Sequence, residues 1–292
     1  FLDNQMIRFF EPSKDYLRFK KEYDTAWESV NMRGDLILRK DGEEFEERLA
    51  DFVGTKYAVA VSSGTDAIYL SLKALKITGR VALPSHTFKA TCGAVINAGA
   101  TPVIYDMDGE AALADAHIPV HIAGELIPFP DLGIPVIEDA CQALGAVKNP
   151  TTDAQCWSFY PAKILGCKGD AGAITTNNFS VYEYVKEARN HFKSDNRDFG
   201  GNHRMDNLQA ALLNIKIQHI DEILARRREV AEMYLEKLKG VVLPNNQKGR
   251  VWQDLIVRTE KRDALYDFLK EQGVETIKNE YPFSPAYPKP PL

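Results

Sequence analysis

The sequence predicts an α/β protein built on a mostly parallel sheet of about seven strands, with a smaller α/β unit towards the C-terminus. Three observations predict it. Short apolar runs rich in Val, Ile and Ala recur between Tyr57 and Thr175, and unbroken apolar runs belong to strands buried on both faces. Helical segments separate the first of these runs, and strand–helix alternation makes parallel crossovers. The chain has 292 residues, 45% of them apolar and 26% charged, enough for one large or two moderate domains with a real core.

Residues 13–32 have a helical pattern, with Leu17, Phe19, Tyr23 and Trp27 set among charges. A second helix over 43–52 is expected to close at Gly54. Strands follow at 57–61, 80–84, 102–105, 118–122, 135–138, 155–159 and 172–175, with helices at 65–75 and 88–97 between the first three. Two crossovers are short, one after Tyr105 and one after Ile122. The second holds Pro128, Pro130 and Gly133. A parallel connection normally needs a dozen or more residues with a helix, so its helix is expected to be missing or reduced to a turn. Residues 205–238 read as one long helix, open to a kink, with Leu208, Leu212, Ile215, Ile220, Leu224 and Leu235 as its apolar stripe. Arg226, Arg227 and Arg228 have Glu222 and Glu232 about a turn away, which predicts a solvated, ion-paired face. A small unit is expected beyond Gly240: strand 251–258, helix 261–272, strand 274–277. The Pro-rich tail 281–292 is not an element. The division expected is a large domain over 1–205 and a connecting helix with a small domain over 206–292.

Bulk properties exclude several function classes. The net charge is -5, against the concentrated positive charge that nucleic acid requires. No apolar run approaches the roughly 20 residues that span a bilayer. Met6 reads as a natural start, and the first residues lack the basic-then-apolar pattern of a signal peptide. The four cysteines, Cys92, Cys141, Cys156 and Cys167, form no C-x-x-C pair. Reduced, mostly buried thiols and no metal are expected, in a cytoplasmic protein.

The chemistry centres on Ser158-Phe159-Tyr160-Pro161-Ala162-Lys163, followed by the glycine-rich segment from Gly169 to Thr176. A lysine in a desolvated pocket loses its proton more readily and attacks carbonyls. Ser62-Ser63-Gly64-Thr65-Asp66-Ala67 follows a strand and opens a helix, an arrangement suited to phosphate and equally to a plain N-cap. Glu138-Asp139 ends an apolar strand, where α/β proteins place ligands; which of the two points inward is left open. Ser85-His86-Thr87-Phe88 also follows a strand, with Phe88 able to stack on a flat ring. Asn202 lies in the loop Gly200–Arg204 before the long helix, and could donate to a phosphate or only shape its own turn.

The order of these motifs resembles the fold-type I pyridoxal-phosphate (PLP) enzymes, and among them the DegT/StrS-type nucleotide-sugar aminotransferases. The resemblance runs from about Ile7 to about Tyr281 and includes Phe45-Glu46, Val120-His121 and Gln209-Ala210-Ala211. It implies a three-layer αβα sandwich, shortened relative to the family. It also implies that Lys163 forms a Schiff base with PLP and, once freed, carries the proton between substrate and cofactor. Asp139 would hold the pyridine nitrogen protonated, Phe88 would stack on the ring and Gln142 would bond its hydroxyl. The Gly64 and Thr65 amides, with Ser158, would hold the phosphate. Asn202 would reach the phosphate of a second subunit, giving a homodimer with the active site at its interface.

The reaction implied moves an amino group from an amino acid, L-glutamate first, through pyridoxamine phosphate to a nucleoside-diphosphate-linked keto sugar. Three departures bear on this. The chain is short in its crossovers, it stops at Pro290-Pro291-Leu292 where relatives continue, and the family's histidine before Tyr281-Pro282 is not evident. Related dehydratases carry a histidine in place of the lysine, so Lys163 argues against that chemistry. A regulatory, non-catalytic PLP-binding relative is the other alternative.

Overall fold

A computed structural model describes residues 6–105, 114–194, 196 and 198–278 of the chain. Two helices open it, α1 (Pro12–Arg18) and α2 (Lys20–Arg33). The single helix expected over 13–32 breaks at Phe19, whose buried ring packs against Tyr23 and Leu212. Helix α3 (Lys40–Val53) closes at Gly54, whose φ of 85° is left-handed, as the sequence predicts. Then come β1 (Tyr57–Val61), α4 (Gly64–Ala74), β2 (Arg80–Pro84), α5 (Lys89–Asn97), β3 (Thr101–Tyr105) and β4 (Ala116–His117). A 3-10 turn (Ile122–Gly124) precedes β5 (Ile137–Asp139), β6 (Ala154–Ser158) and β7 (Gly172–Thr176).

Strands β1-β7-β6-β5 form one sheet and β3-β2-β4 another. Parallel bridges His117↔Val136 and Val120↔Asp139 join β4 to β5. The seven strands therefore run in the order β1-β7-β6-β5-β4-β2-β3. Only β7 is antiparallel to its neighbours. The strand expected at 118–122 pairs earlier, at Ala116–His117, because Pro119 has no N–H for a ladder. The crossover after Ile122 has no α-helix, only the 3-10 turn, as expected. Most of the crossover after Tyr105, and the tail 281–292, lie outside the described residues.

Alternation along β1 sends Val59 and Val61 into one core, with Ile68, Leu72 and Val185. It sends Ala58 and Ala60 into another, with Phe45, Leu49, Trp157 and Leu213. Helix α4 and helix α6 (Phe179–Ala188) cover the first face; α3 and helix α7 (Asn207–Ile217) cover the second. Helix α6 lies outside the helices that the sequence predicts, and Asn178 caps it through the Ser180 and Val181 amides. The long helix expected at 205–238 is two helices, α7 and α8 (Ile220–Lys237), parted at His219, whose ring packs against Phe19. Helix α9 (Arg262–Glu271) forms where predicted.

The two strands expected around α9 do not form ladders. Residues 251–258 make one bridge, Val242↔Arg258, and 274–277 make one, Ile7↔Val274. The backbone of 251–253 is instead spent elsewhere: Val251 N–H donates to the Gly124 carbonyl at 3.0 Å, and the Trp252 and Gln253 carbonyls take Arg227.

A buried ion pair ties α3 to β1 and to the end of α6. Arg189 Nη1 bonds Glu46 Oε1 and the Ala60 carbonyl, the latter at 2.7 Å. Glu46 Oε1 also accepts the Ala60 N–H at 2.8 Å. Removing one partner of a buried pair strands the other charge. Glu46→Ala is expected to lower unfolding free energy by about 3 kcal/mol, read by urea denaturation.

Candidate active site

Ser63 is extended at the head of α4, and its hydroxyl accepts the Asp66 N–H at 3.1 Å. Its carbonyl takes the Ala67 N–H at 3.0 Å. The Gly64 and Thr65 amides therefore lead the helix without intrahelical acceptors, at the positive end of its dipole. This is an anion site in form. The helix start is pressed onto the sheet. A Cβ at Gly64 would lie 2.6 Å from Cys141 Sγ and 2.9 Å from Ser158 Cβ. A Cβ at Gly172 would lie 2.3 Å from the Ser63 carbonyl carbon. Two absent Cβ atoms thus bring α4, the end of β6 and the start of β7 into one corner.

Asp139 ends β5 with 7% of its surface exposed. Its Oδ2 accepts the Thr91 hydroxyl at 2.7 Å and its Oδ1 the Cys141 N–H at 3.2 Å. Thr87 stands 2.7 Å from Thr91, oxygen to oxygen. Glu138, next in the strand, faces the other way. It bonds Thr152 and lies 2.8 Å from His121 Nε2. His121 Nδ1 accepts the Ile127 N–H at 3.2 Å, which puts the ring proton on Nε2 towards Glu138. Alternation along β5 thus turns Asp139 towards Thr91 and Glu138 towards His121.

Lys163 lies in the turn that leaves β6. Its own N–H donates to the Tyr160 carbonyl at 2.8 Å, and Cys167 N–H closes the loop onto the Phe159 carbonyl at 2.8 Å. Burial pushes the Cys141 thiol up; the Asp139 charge adds to this and the Lys163 charge opposes it. The three groups lie within electrostatic reach of one another. Gln142 engages its amide oxygen with the Ala123 N–H at 2.6 Å, leaving its NH2 end as the donor. Ala123 has φ 53°, a left-handed conformation unusual for alanine, and this bond holds it there.

Not every residue singled out by the sequence converges. Phe88 caps α5 one turn before Thr91 and is 54% exposed. Asn202 is exposed; its segment reaches α4 through His203, whose Nδ1 lies 3.1 Å from Asp66 Oδ1. Ser158 Oγ accepts a long bond, 3.4 Å, from the Tyr160 N–H.

Other groups were missed by sequence. Thr91 sits at helical spacing from Thr87, a signal visible beforehand. Asp15 was not, because its partners are remote in sequence. It binds Lys168 Nζ at 2.6 Å and Lys216 Nζ at 2.9 Å, docking α1 on the lysine loop. A cavity of about 300 Å³ opens there, lined by Phe10, Asp15, Lys163, Lys216 and Arg227 among others. The arginine run corrects the sequence reading in part. Arg226 pairs with Glu229 on the surface, but Arg227 turns inward to the Trp252 and Gln253 carbonyls, and burial pushes its guanidinium down.

The DegT/DnrJ/EryC1/StrS aminotransferase family model matches residues 18–290. The chain belongs to this family. One similar member is the dTDP-3-amino-3,6-dideoxy-alpha-D-galactopyranose transaminase of Aneurinibacillus thermoaerophilus. It is 35% identical over 314 aligned positions, covering 96% of this chain and 86% of the relative. S. venezuelae DesV, solved in complex with a ketimine intermediate, superposes with a TM-score of 0.86 at 32% identity, over 94% of this chain and 83% of that one. NtdA of Bacillus subtilis, solved with bound cofactor PMP, gives 0.78 at 29% identity, over 87% and 67%. The fold is thus shared with solved aminotransferases.

Two predictions test this geometry. Gly64→Ala is expected to cost about 1–3 kcal/mol by overpacking against Cys141 and Ser158. Gly93→Ala, in α5 with nothing within 4 Å of the new Cβ, is expected to be neutral or stabilising by up to about 1 kcal/mol; paired thermal melts read the opposite signs. Asp254 gives a pH test. Burial pushes its carboxyl above the ordinary 3.8, against the positive charges of Lys163 and Arg227. Between the ordinary and the raised value the folded cofactor-free chain binds the extra proton, so stability falls as pH rises through that window. Asp254→Asn is expected to flatten this slope and raise the melting temperature at neutral pH.

Proposed function

We propose that this aminotransferase uses PLP to move an amino group from an amino acid, L-glutamate first among donors, to a nucleoside-diphosphate-linked keto sugar. One observation carries the reading. The open amides of α4, the buried Asp139 carboxylate, Ser158 and Lys163 gather at one end of β5 and β6. That constellation fits PLP group by group: amide donors and a hydroxyl for phosphate, a carboxylate for the ring nitrogen, an amine for the aldehyde. The Gly64–Gly172 corner leaves the backbone open for the close approach that a phosphate needs. When bound, PLP supplies the electron sink for the carbon that exchanges its amino group.

The chain's residues then have separable tasks. Gly64 and Thr65 donate amides to the phosphate, and Ser158 adds its hydroxyl. Asp139 holds a proton on the ring nitrogen, kept in place by Thr91 and the Cys141 amide. Gln142 donates from its NH2 end to the ring hydroxyl, and Phe88 covers one ring face. Lys163 Nζ anchors the cofactor and, once displaced, takes and returns the substrate proton. The catalytic residues are thus Lys163 and Asp139. Asn202, exposed at the rim, serves the phosphate of a second subunit in a homodimer. Exposed Trp27, Met32 and Phe199 support such an interface. The sugar-nucleotide class follows the A. thermoaerophilus relative, with pyridoxamine phosphate as the amino carrier that NtdA holds. We place the enzyme in the cytoplasm; no helix among the described residues is long and apolar enough to cross a membrane. Residues 1–205 form the cofactor-binding domain in this reading, and 206–292 the connecting helices and small domain.

The test is the visible spectrum of the purified chain with PLP, before and after L-glutamate, beside Lys163→Ala. Wild type is expected to show the long-wavelength band of lysine-bound cofactor and to lose it on adding glutamate. Lys163→Ala is expected to show neither change and to lose about 10³-fold or more in kcat. A wild-type band indifferent to glutamate and every other amino donor would overturn the transaminase reading.

A further inference from the structure

The backbone on either side of Lys163 is held by the Gln253 side chain. Gln253 is buried, with 8% of its surface exposed. Its Oε1 accepts the Ile164 N–H at 3.0 Å, and its Nε2 donates to the Ala162 carbonyl at 3.0 Å. These two backbone groups flank Lys163 on either side. A side-chain amide satisfies both at once because its acceptor and donor point the same way. The lysine backbone is thereby pinned on both sides.

Gln253 is itself held. Arg227 Nη1 on α8 donates to the Trp252 carbonyl at 2.8 Å and to the Gln253 carbonyl at 3.1 Å. Val251 N–H donates to the Gly124 carbonyl at 3.0 Å. Gly124 has no Cβ to spare there: one would lie 1.7 Å from the Val251 carbonyl oxygen. On the far side of that contact, Ala123 holds Gln142. Residues 251–253 therefore touch both the lysine turn and the loop that orients Gln142. Gln209 on α7 secures the other end of the lysine loop, accepting the Lys168 N–H at 2.9 Å.

We propose that Gln253 is a positioning residue for Lys163, and that Arg227 holds it in place from α8. The proposal rests on the PLP reading of the site. Loss of Gln253 would leave the Ala162 carbonyl and Ile164 amide unpaired and free the turn to sample other placements of the amine. The effect expected of Gln253 itself is on the lysine's reach; the phosphate contacts come from α4 and β6, which Gln253 does not bond.

The experiment compares wild type, Gln253→Leu, Gln253→Glu and Arg227→Met as full chains. Each is mixed with PLP, reduced with borohydride at timed intervals and mapped by peptide mass spectrometry for covalent label on Lys163. kcat, KM and melting temperature are measured alongside. Gln253→Leu is expected to slow labelling and lower kcat by about 10- to 100-fold, the cost of a misplaced reacting group, with KM within about 2-fold. Gln253→Glu keeps the acceptor for Ile164 and is expected to fall between wild type and the leucine variant. Arg227→Met is expected to slow labelling in the same direction. Labelling and kcat at the wild-type level in a folded Gln253→Leu chain, whatever its melting temperature, would overturn the proposal. So would wild-type labelling in folded Gln253→Glu and Arg227→Met chains if the leucine variant does not fold. A wild-type chain never labelled at Lys163 would overturn the PLP reading as well, which separates the two failures.

Discussion

The site depends on how closely the head of α4 approaches the sheet. Gly64 and Gly172 allow contacts that any Cβ would forbid, with atoms of Cys141, Ser158 and Ser63 lying where side chains would stand. That approach brings the open amides of a helix start beside the ends of β6 and β7. It also explains why the antiparallel strand β7 belongs in an otherwise parallel sheet. It delivers a glycine to the helix start while its neighbour Ala171 still takes the Phe159 N–H at 2.8 Å. The close packing of this corner comes from absent side chains at Gly64 and Gly172.

The two carboxylates at the end of β5 show how one strand serves two faces. Asp139 is oriented by Thr91 and by the Cys141 amide. Glu138 is absorbed by His121 and Thr152. A buried carboxylate without partners would be costly to ionise, and each has its own set. The His121–Glu138 pair also braces the stretch that replaces a crossover helix, since His121 takes the Ile127 amide. A shortened connection is thus tied down by polar side chains where a longer chain would use helix packing.

The C-terminal part of the chain is bound to the site more by hydrogen bonds than by a sheet of its own. Segment 251–253 uses its backbone on Gly124 and Arg227 and its one amide side chain on the lysine turn. Helix α7 packs on α2 and α3, so the descent into α8 starts from the large core. The N-terminus contributes as well, through Asp15 on Lys168 and Lys216. The lysine loop is therefore held from three remote stretches of chain at once.

Much of this was legible in the sequence, for identifiable reasons. Strands buried on both faces are unbroken apolar runs, so six of the seven lie within a residue or two of where the sequence predicts them. The Gly54 stop needed a left-handed residue, and the order of Ser-Gly-Thr, Glu-Asp and Ser-x-x-x-x-Lys carried the resemblance to the family the chain belongs to. What failed had non-local causes. The helix breaks at Phe19 and His219 come from one ring packing on the other, and local periodicity runs straight through both. The strand at 251–258 was lost because remote partners claimed its backbone. By itself the sequence determined the core strands, most of the helices and the residue types at the strand ends, because these follow from local spacing and hydrophobicity. Only the tertiary structure decided that Asp139 and not Glu138 faces the site, that Arg227 turns inward, and that Gln253 brackets Lys163. Each of those depends on an atom brought close by folding from a distant part of the chain.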